Sequence, residues 1–111
     1  MPYEFGDVVL VQFPFTSQKA FKKRPAVVVS NKSYNQNGPD VVIMAVTSQI
    51  GTSYTQGGLL LSDWQAGGLL KPSVVKPVFA TLEQRLILSR LGLLSAQDQN
   101  ALRTAIRGVL G

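Results

Sequence analysis

Two side chains in this sequence stand where chemistry on a phosphate could be done. Arg24 closes the cationic run Lys22-Lys23-Arg24 and is followed at once by Pro25-Ala26-Val27-Val28-Val29-Ser30. It is the last polar residue before a run of small and β-branched residues that reads as a buried strand. A guanidinium stays charged at any working pH and presents its donors in a planar fork. It can hold two phosphate oxygens at once and oppose charge building on a phosphorane. Lys22 and Lys23 add field without geometry, and as a solvated basic loop they need no further role. Thr47 is the second residue, at the end of Val41-Val42-Ile43-Met44-Ala45-Val46 and the start of Thr47-Ser48-Gln49. A hydroxyl there can donate to a phosphate oxygen, or to a ribose 2′-oxygen during attack. Thr47, Ser48 and Gln49 can equally close a strand with local backbone hydrogen bonds.

What is missing narrows the chemistry further. The chain has no cysteine, which removes disulfides, zinc–thiolate sites and thiol nucleophiles together. It has no histidine, so Ser-His-Asp and paired-histidine nuclease mechanisms are excluded. Catalysis would have to use Arg, Lys, carboxylates, hydroxyls or backbone groups. The carboxylates Glu4, Asp7, Asp40, Asp63, Glu83 and Asp98 are scattered singly, with no pair spaced to bind Mg²⁺. No metal and no cofactor is expected. Gly57, Gly58, Gly67 and Gly68 do not form a phosphate-loop spacing.

The bulk numbers suit a small basic globule. A length of 111 residues predicts one domain, 1–111. Apolar residues make up 45% and charged residues 15%, enough for a core and too few charges for a disordered tail protein. Eleven cations against six anions, a net charge of +5, favour a polyanionic partner: RNA, DNA or an acidic protein segment. Met1 to Asp7 lacks the charged-then-apolar pattern of a signal peptide, and the apolar runs are short. A soluble, cytoplasmic protein is expected.

The elements that must position Arg24 and Thr47 follow from pattern. Gly6-Asp7 opens a first strand over Val8 to Phe13, which Pro14 ends. A loop follows, with Phe15 and Phe21 as its ends and Thr16 to Lys19 as its tip. Pro25 to Ser30 is a second strand. Asn31 to Asp40 reads as a loop carrying the turn signal Asn37-Gly38-Pro39. Val41 to Val46, apolar at every position, predicts a strand covered on both faces. Leu59 to Leu61 is a short fourth strand. Ser62 to Gly68 reads as a turn that holds Trp64. Ser73 to Val75 and Val78 to Ala80 read as strand, with Pro72 and Pro77 marking an edge or bend. Thr81 to Gln84 predicts one helical turn capped by Thr81, and Arg85 to Gly92 a last strand, with a short helix as the competing reading because Leu, Arg and Ser do not choose sharply. Ser95 opens the clearest helix: Asp98 stands three residues on, as in a capping box. Leu102, Ala105, Ile106, Val109 and Leu110 form one apolar face. The sum is an α+β domain, a small, strongly bent antiparallel barrel or half-barrel with a C-terminal helix. Trp64, Tyr34 and Tyr54 are loop aromatics that could stack a base or simply lid the core.

In this order and spacing, Gly6-Asp7-Val8-Val9-Leu10-Val11, Arg24-Pro25-Ala26-Val27-Val28-Val29-Ser30 and Ala45-Val46-Thr47-Ser48-Gln49 resemble the MazF/PemK family of toxin endoribonucleases. Lys76 to Gly92 and the capped terminal helix extend the resemblance over essentially the whole chain. It implies an SH3-like barrel, usually a homodimer, that cleaves single-stranded RNA, typically mRNA, at short sequences without metal. It implies 2′,3′-cyclic phosphate and 5′-hydroxyl products, and an antitoxin whose acidic tail covers the RNA groove. The family's catalytic arginine and threonine fall on Arg24 and Thr47. Lys22, Lys23, Ser48, Gln49 and Lys76 are the candidates for further RNA contact. The chain departs from many relatives in lacking an acidic-glutamine element between Thr16 and Lys23. It also lacks a glutamine or arginine pair near Lys76.

Two other functions fit the same fold. One is a non-catalytic toxin acting on DNA gyrase, as the related CcdB-like toxins do. The chain ends Gly108-Val109-Leu110-Gly111, without the bulky aromatic that reading wants. The other is an RNA- or peptide-binding module with a degenerate site.

Overall fold

A computed structural model of the chain describes residues 3–13, 22–51 and 57–111. The expected loop bounded by Phe15 and Phe21, and Tyr54, lie outside these residues.

The β-branched runs form the middle of one antiparallel sheet. Its strands are β1 (Asp7–Phe13), β2 (Lys22–Val28), β3 (Asp40–Thr47), β4 (Leu59–Leu60), β5 (Val74–Glu83) and β6 (Ser89–Leu93). They lie in the order β4-β5-β3-β2-β1-β6 and curl into a strongly bent, SH3-like half-barrel. A five-residue helix, α1 (Lys32–Gln36), joins β2 to β3, and α2 (Ala96–Leu110) ends the chain. Among the described residues no helix is long and apolar enough to cross a membrane.

The central strands β1, β2 and β3 are apolar at successive positions because both sheet faces are covered. Val8, Val27, Met44 and Val46 point into one cluster, closed by Leu61, Leu69, Leu94 and Leu102 of α2. Val9, Val11, Ala26, Val28, Val41 and Ile43 point into a second cluster on the other face. Ala80, Leu82 and Ile87 pack against that second cluster. A strand buried on both sides carries no polar alternation, as the unbroken run Val41 to Val46 predicts.

The chain differs from the sequence expectation in five places. β2 starts at Lys22 and ends at Val28, so Arg24 lies inside the strand, paired with Val11 of β1, rather than ahead of it. Asn31 to Asp40 is not all loop. Asn31 caps α1, its side-chain oxygen accepting the Tyr34 N–H at 2.8 Å. The two short strand pieces around Pro77 are one strand, β5, bulged so that Ala45 alone stands against Lys76, Pro77 and Val78. Thr81 to Gln84 does not form a capped helical turn. Val41 pairs with Leu82 and Asp40 with Glu83, so tertiary pairing extends β5 through residues that are locally neutral. The helical turn comes later, as a 3₁₀ turn over Gln84–Leu86, so the last strand starts only at Ser89. There the Gln84 amide donates to the Asn35, Gly38 and Asp40 carbonyls. Finally, Ser95 does cap α2, accepting the Asp98 N–H at 3.2 Å. The Asp98 carboxylate, fully buried, turns away from a capping box and accepts the N–H groups of Ser62 and Asp63 at 3.0 and 2.8 Å. The apolar face of α2 seals the core through Leu102, while Leu110 at its end stays exposed.

Candidate nucleic-acid interface

The register of β2 against β3 decides whether Arg24 and Thr47 can act together. Ala26 pairs with Ala45, Val27 with Met44 and Val28 with Ile43. The paired stretch ends at Ala26 and Ala45, and Arg24 and Thr47 each stand two residues beyond it at the same end. Hydrogen-bonded pairing stops at Ala26, next to Pro25, which has no N–H to offer β3. Beyond that point the two strand ends flank an open groove of about 740 Å³.

The buried and half-buried part of its lining is mostly apolar, with Leu10, Pro25, Val46, Leu69 and Leu91 beside Thr47 and Ser73. The exposed part is mostly polar and cationic, apart from Leu70. Lys22, Lys23, Arg24, Ser48, Gln49 and Lys71 all border the groove, and Thr47 is half-buried among them. Among the described residues no carboxylate lines it. Among the described residues the ion pairs are Arg85 with Glu83 and Arg90 with Asp7, neither at the groove. The four groove cations therefore face solvent without a neutralising partner on the described chain, which concentrates positive potential over a concave surface.

Thr47 is oriented by its own strand end. Its Oγ1 accepts the Gln49 N–H at 3.1 Å. The local closure that the residue types allow is thus formed, and it uses one lone pair. The hydroxyl proton stays available to donate to a ligand oxygen. Arg24 is exposed at its head and held at its backbone, where it pairs with Val11 of β1.

The first turn motif has a separate role. The buried Asp7 carboxylate accepts the Glu4 N–H at 2.8 Å and an Arg90 guanidinium N–H at 2.5 Å. It ties the start of β1 to β6 and leaves Arg90 outside the groove lining.

Of the residues singled out from sequence, the groove gathers Arg24, Thr47, Lys22, Lys23, Ser48 and Gln49. Lys76 does not line it; it is half-buried in the β5 bulge. Trp64 packs against the main core cluster, as a lid would. Tyr34 is exposed, but on a separate surface cavity with Asn31 and Pro39, at the end of β2 and β3 away from Arg24. The sequence reading missed the wall formed by Gly68, Leu69, Leu70, Lys71 and Ser73. One signal was available there, a cation–proline step at Lys71-Pro72 that repeats Arg24-Pro25.

The described chain is thus a small antiparallel half-barrel whose groove is bordered by four cations and, among the described residues, no carboxylate. The family model for the PemK-like, MazF-like toxin of type II toxin–antitoxin systems matches residues 4–110, and the chain belongs to that family. No curated protein matches it. Several solved structures share its fold. An endoribonuclease from a mycobacterial species superposes with a TM-score of 0.76 at 21% identity, covering 100% of this chain and 93% of that one. A MazE–MazF complex from Deinococcus radiodurans gives 0.76 at 23% identity, covering 100% and 98%. A mycobacterial endoribonuclease in complex with its cognate antitoxin gives 0.74 at 20% identity, covering 99% and 94%.

Proposed function

We propose that this member of the toxin family is a metal-independent endoribonuclease that cleaves single-stranded RNA, in the cell mRNA, at short sequences. The reading rests above all on Arg24 and Thr47 bordering one cationic groove from the ends of two paired strands. The reaction is an internal transesterification. The ribose 2′-oxygen bonds to the adjacent phosphorus, and the bond from phosphorus to the 5′-oxygen breaks. The proton lost from the 2′-hydroxyl is matched by one gained at the departing 5′-oxygen. No water is consumed, and the ends are a 2′,3′-cyclic phosphate and a 5′-hydroxyl. Arg24 opposes the charge that builds on the phosphorane, in a fork geometry that a lysine lacks. Thr47 donates its hydroxyl proton to a phosphate oxygen or orients the 2′-hydroxyl. Lys22, Lys23, Ser48 and Gln49 hold the flanking backbone. Lys76 takes no part in this footprint.

The same groove suits the acidic tail of a cognate antitoxin, which would compete with RNA for the four cations. The working protein in this proposal is a cytoplasmic homodimer, which sedimentation of the purified chain would test.

The deciding experiment incubates purified protein with single-stranded RNA in EDTA and analyses the new ends. Cyclic-phosphate and 5′-hydroxyl ends are expected, and Arg24→Ala should slow cleavage by about 10²–10³-fold. Equal cleavage by Arg24→Ala would sink the mechanism.

A further inference from the structure

We infer that residues 69–73 form a rigid recognition arm of the groove: Leu70 offers an apolar face to one unpaired base of a single-stranded RNA, and Lys71 takes the adjoining phosphate. This rests on the groove being an RNA site. A single exposed leucine is ordinary on a protein surface. Leu70 differs in how it is held and in what surrounds it. At 92% exposure it is the most exposed large apolar side chain among the described residues, and it borders the groove.

The arm that carries it is fixed at both ends. Upstream, the Ser62 and Asp63 N–H groups are held by the buried Asp98 carboxylate of α2. Trp64 packs into the core, and its carbonyl accepts the Leu69 N–H at 3.3 Å. Leu69 itself is buried in the main core cluster. Gly68 has a φ of +76°, and any Cβ there would run into the Leu91 carbonyl, so the backbone lies directly against β6. Downstream, the buried Ser73 hydroxyl donates to the Lys71 carbonyl at 2.8 Å. The Ser73 carbonyl accepts the Leu61 N–H at 3.0 Å. Pro72 fixes its own φ between these anchors. Leu70 and Lys71 are thus presented on a short fixed turn, and ordering them on a ligand costs little entropy.

The chemistry of the occupant follows from the lining. Among the described residues, Lys22, Lys23, Arg24 and Lys71 are the charged residues of the groove and all are cations. A single RNA strand alternates phosphates with bases whose flat faces are apolar, and the adjacent pair Leu70-Lys71 matches that alternation. Bases differ in how much apolar surface they offer, so Leu70 contributes to sequence preference. Lys71 contributes affinity alone.

The test uses the full chain and 2′-O-methyl RNA decamers of single and mixed base composition. Their attacking hydroxyl is blocked, so binding is read without turnover. Cleavage of unmodified RNA of the same sequences is read in parallel. Leu70→Ala is expected to weaken the best-bound decamer by about fivefold to tenfold, to weaken the others less, and to reorder the relative cleavage rates. Lys71→Ala should weaken all decamers by a similar factor and lower the slope of log affinity against log salt by about 0.7. Both side chains are exposed, so unchanged thermal unfolding is the control. If the parent cleaves RNA and both variants bind and cleave with the parent's ranking, the arm is overturned and the ribonuclease reading stands. If the parent neither binds nor cleaves, both fall. Loss of binding to an acidic peptide with RNA binding unchanged would give the arm to a peptide partner and overturn the inference.

Discussion

Lys23 and Arg24 are adjacent, alike in charge and both exposed, yet they offer a phosphate different things. Lys23 is a point charge on a flexible stem. Arg24 presents a planar fork from a backbone paired to β1, and it borders the same groove as Thr47. Arg24→Lys should therefore keep most RNA affinity and recover little of the cleavage lost in Arg24→Ala. Single-turnover rates beside binding of a 2′-O-methyl oligonucleotide separate the two effects. Thr47→Val removes both the donor and the acceptor of the Gln49 N–H. Cleavage should fall by about 100-fold, while Thr47→Ser, which keeps the hydroxyl, should retain most of it. A Thr47→Val enzyme with parental kcat/KM would leave Thr47 as a strand-closing residue only.

The elements behind those residues are held by a few buried polar contacts. Asp98 is the clearest: a fully buried carboxylate in the first turn of α2 that grips two N–H groups of the Ser62–Gly68 turn. Asp98→Ala leaves those two groups without their acceptor. It should cost about 2–3 kcal/mol in urea unfolding. Leu102→Ala, at the centre of the contact between α2 and the sheet, should cost about 2–5 kcal/mol by the same measurement. These contacts also explain what the sequence hid. The Asp98 spacing after Ser95 predicts a capping box, but the carboxylate serves a turn 35 residues away in the chain. The residues Thr81 to Glu83 suit a helical turn as well as a strand, and the β3 edge decided for strand. Asn31 is an N-cap residue, yet the Asn-rich run around it reads as loop, and the short helix after it was missed. Strands made of β-branched runs were legible, because their covering on both faces leaves an unbroken apolar pattern.

At the scale of the whole molecule the charge is unevenly placed. Four cations border the groove, and the described ion pairs lie elsewhere. RNA binding should therefore weaken steeply with salt, with a log–log slope near −3 if all four cations contact phosphates, at about 0.7 per contact on a single strand. Titration of a 2′-O-methyl oligonucleotide across salt concentrations measures it. A slope near zero would remove phosphate binding from the groove. By itself the sequence determined the strand core, the capped terminal helix, the net charge, and the candidacy of Arg24 and Thr47. These depend on residue type and short-range pattern. Only the tertiary structure decided which cations share a surface. It brought Lys71 and Leu70 to Arg24 and left Lys76 in a bulge of β5. Periodicity says which residues share a face of one strand. Where a turn folds back depends on distant partners, here Asp98 and the Leu91 carbonyl, that no local pattern reveals.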